Sequence, residues 1–320
     1  MIVDFRRLVL TVAAAGFLTS TAAAPSGAAA TDPIAINLGV QPGDSTGEGF
    51  YAQEMGFFKD AGLDVKITLL LNGPALTSAM ASGALDVAVA SVGVVATAHE
   101  HNLPMKYIAP AAMYSGPPPT TTLVVAKDST VKTGADLNNT VIAVNGLKDL
   151  TQFTTEAWLD KNGADLKTIK YIEIPFSEMA VAVQQHRVAA ALMNEPFLEA
   201  AKPIVREIGN AQSAIAPKFL IMGWFANESW IAKNPEAIRR FRIAMQKTAI
   251  WANAHHTESG AILLKYLKLD PDVAKNMTRA TYDTSGTMNP AFMQPVIDAA
   301  AKYGTLTKSF PATELIANSP

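Results

Sequence analysis

The chain has 320 residues, 49% of them hydrophobic and 17% charged, with 26 basic against 28 acidic side chains and a net charge of −2. That near-neutral balance offers no field for holding nucleic acid or an anionic membrane surface. The absence of cysteine removes disulfide scaffolds, thiolate nucleophiles, cysteine-bound metals and a thiol-linked lipid anchor.

In chain order, Phe5-Arg6-Arg7 is a short basic patch, Leu8 to Leu18 an uncharged apolar run, and Thr19 to Ala30 a tract of small residues. Basic, apolar, small is the order of a secretory signal peptide, here residues 1–30. The apolar run is shorter than the about 20 residues that span a bilayer. Cleavage is expected after Ala30, with Ala24 the alternative. The rival reading, a buried N-terminal helix, meets a run with no helical face. Export would place the chain in the periplasm. The 290 residues that remain suit two lobes of ordinary size.

Next, short β-rich runs alternate with helix-like ones. Strands are expected at 34–40, 64–71, 86–92, 105–113, 123–126, 141–144, 169–174, 188–193 and 218–225. Between them, helical spacing marks 49–61, 75–81, 94–101, 151–161, 178–186 and 196–202, several stopped by glycines such as Gly62, Gly83 and Gly163. Near-continuous apolar strands joined by helices predict parallel sheets covered on both faces. The triplet Pro117-Pro118-Pro119 stiffens one connection, which reads as a crossing between lobes or a surface loop. From Trp230 to His256, Ile238, Phe241, Met245, Thr248 and Trp251 recur at helical spacing, an amphipathic helix set against a core.

Catalytic and metal signatures are missing. His99 and His101, and the neighbours His255 and His256, lack the spacing of a zinc helix motif, and His186 stands alone. No G-x-S-x-G, P-loop or G-x-G-x-x-G occurs. No cofactor is expected.

One ordered series of segments is more specific. Gly39-Val40-Gln41 precedes Tyr51-Ala52-Gln53-Glu54-Met55-Gly56-Phe57-Phe58-Lys59-Asp60-Ala61-Gly62, and Asn72-Gly73-Pro74 and Ala81-Ser82-Gly83-Ala84-Leu85-Asp86 follow. Leu123 to Ser129, Leu137 to Val144, Pro175-Phe176-Ser177-Glu178-Met179 and Asn194-Glu195-Pro196-Phe197 complete it. The series resembles the nitrate, sulfonate and taurine class of periplasmic substrate-binding proteins, which shares its fold with thiamine-pyrimidine binding proteins. The resemblance implies an α/β type II periplasmic-binding-protein fold. Lobe I would hold residues 31–122 and 218–320, and lobe II residues 123–217, with a hinge and a ligand cleft between them. It also implies a monomeric receptor that hands a small, anionic organic ligand to the permease and ATPase subunits of an ABC importer. A pyrimidine synthase of the thiamine-precursor family is the enzymatic alternative, but that type relies on a cysteine-rich motif. A ligand-sensing partner of a membrane receptor is the third reading.

In open α/β sheets ligands sit beyond the carboxyl ends of strands, where helix N-termini offer N–H groups. Three such ends are expected to converge. The first holds Gln41, Asp44, Ser45 and Thr46; the second Gly73 and Pro74; the third Lys148, Asp149 and Thr151. At the third turn the sulfonate binders carry a Ser/Thr-rich cluster, so Asn145-Gly146-Leu147-Lys148-Asp149 departs from them. Lys148 meets a ligand anion, pairs with Asp149 or stands in water. Ser91, Tyr114, Glu178, Asn194 and Glu195 are further candidates from position, with Asn194 where the family has an aromatic residue. Glu195, before Pro196, is also a candidate hinge or cap. Trp224 and Phe225 face either a ligand ring or the core.

Overall fold

The computed structural model describes Met1 and residues 32–317. The signal peptide expected at 1–30 lies outside the described residues, Met1 apart. Residues 33–317 belong to one compact unit. It opens with β1 (Ile34–Val40), a 3-10 turn at Asp44–Thr46, α1 (Glu48–Glu54), α2 (Phe57–Asp60) and β2 (Leu63–Leu69). Then come α3 (Gly73–Ala81), β3 (Val87–Ser91), α4 (Val92–Glu100), β4 (Met105–Pro110) and β5 (Ala112–Tyr114).

A second group follows: β6 (Thr121–Ala126), β7 (Val141–Val144), α5 (Leu150–Lys161), β8 (Lys170–Glu173), α6 (Phe176–Gln184), β9 (Ala190–Asn194), α7 (Phe197–Ala201) and β10 (Val205–Gly209). The chain returns through β11 (Phe219–Leu220) and β12 (Met222–Asn227). It ends on α8 (Glu228–Lys233), α9 (Pro235–Ala254), α10 (His256–Leu267), α11 (Pro271–Asn276), β13 (Thr281–Tyr282) and α12 (Pro290–Lys302).

The described strands form two five-stranded sheets, ordered β2-β1-β3-β12-β4 and β10-β6-β9-β7-β8, and a small sheet β11-β5-β13. Each large sheet founds one lobe of the two-lobed α/β fold. The sheets are mixed rather than parallel throughout. β1 runs parallel to β2 and β3, and β7 parallel to β8 and β9, but β12 runs antiparallel to β3 and β4. In the second sheet β6 is antiparallel to β9 and β10. The antiparallel strands β12 and β6 are those that enter a sheet directly from a crossing, without a covering helix to reverse the chain.

Burial follows the strand pattern. All five residues of β3 and of β9 are buried, because helices cover both faces. Trp224 on β12 is fully buried and meets the Phe241 ring edge-on at 5.4 Å, while its Nε1 donates to Glu48 Oε2 at 3.1 Å. Trp224 and Phe225 therefore belong to the core of the first lobe. Of the predicted stripe on α9, Ile238, Phe241, Met245 and Thr248 are buried and Trp251 is half-buried. Each such large apolar side chain contributes about 1.5–3 kcal/mol.

Two connections join the large sheets, Ser115 to Thr120 and Asn210 to Lys218. The proline triplet lies in the first, and the two are tied where Asn210 Nδ2 donates to the Tyr114 hydroxyl at 2.8 Å. No described helix is long and apolar enough to cross a membrane.

Candidate functional site

Loops at the carboxyl ends of strands in one large sheet meet those of the other. Asn72, just past β2, donates from Nδ2 to Glu173 Oε1, at the end of β8, at 2.7 Å. Asn145, just past β7, reaches the Leu71 carbonyl at 3.4 Å. The Asp44 N–H donates to the Glu195 carbonyl at 2.9 Å. Helices α4 and α5 touch at a position that needs glycine: a Cβ on Gly93 would stand 2.6 Å from the Phe153 ring. The lobes are closed against each other.

Between them lies a small, largely enclosed cavity of about 30 Å³, room for about two waters. Ser45, Thr121, Thr151, Thr154, Asn194 and Gln212 supply its polar lining. Leu150, Phe176, Leu192, Ile221 and Met222 supply the apolar part. Both lobes contribute, and the second crossing supplies Gln212. Asn194 Oδ1 and Gln212 Oε1 are buried without a hydrogen-bond partner. An unpaired buried acceptor costs about 1–3 kcal/mol, so these two mark a place where the fold accepts a penalty.

The sequence candidates divide into three groups. Ser45, Thr151 and Asn194 line the cavity. A second group braces it. Gln41 accepts from Thr46 Oγ1 through its carbonyl at 2.7 Å, shaping the turn that presents Ser45. Ser91 caps α4, its hydroxyl accepting from the Val94 N–H at 3.3 Å. Gly73 and Pro74 open α3, whose cap is Asn72, and a Cβ on Gly73 would stand 2.4 Å from Val94. Asp149 caps α5, accepting from the Thr151 N–H at 2.7 Å, and burial lifts its carboxyl to about 6.

Asp44, fully buried, belongs to this group too. Its carboxylate takes Arg279 Nε at 3.1 Å and Nη2 at 2.9 Å, the Tyr51 hydroxyl at 2.9 Å and the Ala280 N–H. Its acceptor capacity is divided between Tyr51 and the C-terminal segment at Arg279 and Ala280. Glu195 joins the first crossing, the Asp44 turn and the C-terminal segment. Its N–H donates to the Thr120 carbonyl at 2.9 Å, its Oε1 accepts from the Thr278 N–H at 3.1 Å, and its Oε2 accepts from the Glu199 N–H at 3.0 Å. Burial raises its carboxyl to about 7.

The third group lies away from the cavity. Lys148, in the left-handed region at φ 54°, is exposed, and its N–H donates to Gln152 Oε1 at 2.9 Å. Glu178 is exposed on α6. Tyr114 lines a separate pocket of about 380 Å³ beside the crossings, with Met277 and His256.

Thr121, Phe176, Gln212 and Met222 escape sequence reasoning as site residues. Gln212 lies in the second crossing, which no proline run announces. A wider groove of about 880 Å³ runs between α10 and α11. Its Lys265 and Lys275 are paired with Glu54 and Asp272 at 2.9 and 2.6 Å, and its Arg279 with Asp44. It is a surface furrow in which three of the four lysine and arginine side chains are paired. No group of three or more His, Cys, Asp or Glu among the described residues is placed to hold a metal ion.

The profile of the family described as NMT1/THI5 like matches residues 46–259, two thirds of the chain and nearly all of both large sheets. The chain belongs to the NMT1/THI5-like family. Among curated proteins it is 24% identical over 237 residues to a Brucella abortus protein named as a binding protein, covering 68% of this chain and 67% of that one. A Brucella suis protein of the same description matches equally.

Solved structures share the fold of this NMT1/THI5-like chain. The periplasmic nitrate-binding protein NrtA of Synechocystis PCC 6803 superposes with a TM-score of 0.76 at 14% identity, over 88% of this chain and 84% of that one. The alkanesulfonate-binding protein SsuA of Xanthomonas axonopodis pv. citri, bound to MOPS, gives 0.74 at 16% identity, over 90% and 99%. The periplasmic aliphatic sulphonate binding protein SsuA of Escherichia coli gives 0.70 at 18%, over 90% and 94%.

Proposed function

We propose that this protein is the exported solute receptor of an ABC importer, which encloses a small organic molecule between its lobes without transforming it. The observation that carries this reading is the enclosed, two-sided cavity with unpaired Asn194 and Gln212 acceptors. Its lining holds no His, Lys, Arg, Asp or Glu, so it offers recognition rather than acid–base or nucleophilic chemistry. The nitrate and sulphonate binders named above give the fold a precedent in this role.

The division into 31–122 and 218–320 against 123–217 belongs to the same proposal, supported by β6 starting at Thr121 and β10 ending at Gly209. Closure works by population shift: a solute that binds the closed state better than the open one draws the lobes together. The loaded receptor, a monomer in this reading, then presents both lobes to the permease and its ATPase in the periplasm.

A thermal-shift screen of the mature chain tests the proposal. Sulfonates, carboxylates and nitrate represent an anionic solute, and pyrimidines and amides an uncharged one. A receptor shows a melting temperature that climbs with the concentration of its solute, by about 2.7 kcal/mol of stabilisation at a hundred times Kd. A flat response to every class contradicts the proposal.

A further inference from the structure

Resting on the reading of this cavity as the solute site, we propose that Asn194 and Gln212 select an uncharged, hydrogen-bonding solute, of the amide, lactam or urea class, over an organic anion. The charges around the cavity oppose an anion. No cationic side chain lines it. Of the cations near the loops, Lys148 is exposed outside it, and Arg279 is held by both oxygens of Asp44.

Two of the three helix N-termini that make the sequence look anion-binding carry a side-chain cap, as does the neighbouring α4; the Gly47 end of α1 carries none. Asn72 caps α3, Ser91 caps α4, and the carboxyl of Asp149 caps α5. Asp44, its charge met by Arg279, adjoins Ser45, Glu195 adjoins Asn194, and Asp149 bonds Thr151, so the ionisable groups nearest the cavity are carboxyls and none is a free cation. An anion in this place would be buried without a counter-charge, which a low-dielectric site strongly disfavours.

The polar wall fits a neutral partner instead. Asn194 and Gln212 are 7% and 2% exposed, and each places a carboxamide with an unpaired oxygen at the cavity. A carboxamide holds both a donor and an acceptor, so a solute with N–H and C=O groups satisfies it whichever way it is turned. An anion brings acceptors alone. Phe176, with Leu150 and Leu192, adds an apolar wall.

Calorimetry on the mature chain with small matched pairs decides the matter: acetamide against acetate and urea against nitrate, with taurine as a further anion. The uncharged member of at least one pair is expected to bind at least about tenfold tighter than its anionic partner. Asn194→Ala and Gln212→Leu are each expected to weaken that binding about tenfold, the scale of one lost hydrogen bond. Both variants are expected to melt no lower than the parent, since each removes an unpaired buried acceptor. An anion that binds tighter than its neutral partner overturns the inference and leaves the receptor reading standing. Neutral binding indifferent to both substitutions also overturns it. Silence from every compound overturns both.

Discussion

Asp44 shows how a residue that looks like a ligand contact becomes a strut. In the sequence it opens a glycine-flanked turn after a strand, where a helix N-terminus invites an anion. In the fold its carboxylate is spent on Arg279, Tyr51 and Ala280, more than 230 positions away except for Tyr51. Removing one member of so buried an ion pair strands the other charge and costs about 3–5 kcal/mol. Periodicity and spacing register neighbours in the chain, so they placed the turn correctly and could not see what would fill it. Ser45, Thr151 and Asn194 were legible because they end strands or open helices at the cleft. Gln212 was not, because it lies in an irregular crossing.

Glu195 offers a pH test at the same scale. Burial lifts its carboxyl from 4.5 to about 7, so the folded state holds a proton that the unfolded chain releases earlier. Its contribution is complete below about 4.5 and is lost as pH rises through about 7. The parent should therefore lose melting temperature between pH 5 and pH 8, and Glu195→Gln, which keeps a neutral side chain at all pH values, should lose less. Parallel melting curves for the two proteins across that range would contradict the assignment.

At the scale of elements, the sequence located most strands and helices and misjudged where they break. The helix expected at 49–61 is two, α1 and α2, because Gly56 at φ 73° turns the chain between them. The strand expected at 105–113 divides into β4 and β5, and that at 218–225 into β11 and β12, because each chain leaves the large sheet for the small one at the crossings. The helix expected from 230 to 256 is interrupted at Asn234, before Pro235. These breaks answer to tertiary pairing, which apolar periodicity does not encode.

The contact of α4 with α5 carries a prediction. Gly93 lets Phe153 and the Leu150 N–H approach within 3.3 Å of where a Cβ would stand. Gly93→Leu should hold the lobes apart, raising the radius of gyration in small-angle scattering and weakening solute binding at least about tenfold, with the helical circular dichroism unchanged. An unaltered radius of gyration with unaltered affinity would show that the two helices need not meet for the receptor to work.

For the whole molecule, the sequence carried the two-lobed α/β architecture through the ordered series of segments, while composition excluded nucleic acid and thiol chemistry. The charge of the ligand was inferred from helix ends, of which the fold caps α3 with Asn72 and α5 with Asp149 and leaves α1 without a side-chain cap. What unites the structure is a cavity that neither lobe makes alone, together with bonds between the lobes such as Asn72 to Glu173.

The chain's lack of cysteine makes that closure directly measurable. Ser78→Cys on α3 and Lys170→Cys on β8, both exposed and on opposite lobes, accept spin labels for a distance distribution by pulsed electron resonance. A bound solute is predicted to move population from a longer to a shorter distance in proportion to occupancy. The same distribution before and after saturation, with binding verified by calorimetry, would contradict a receptor that works by closing.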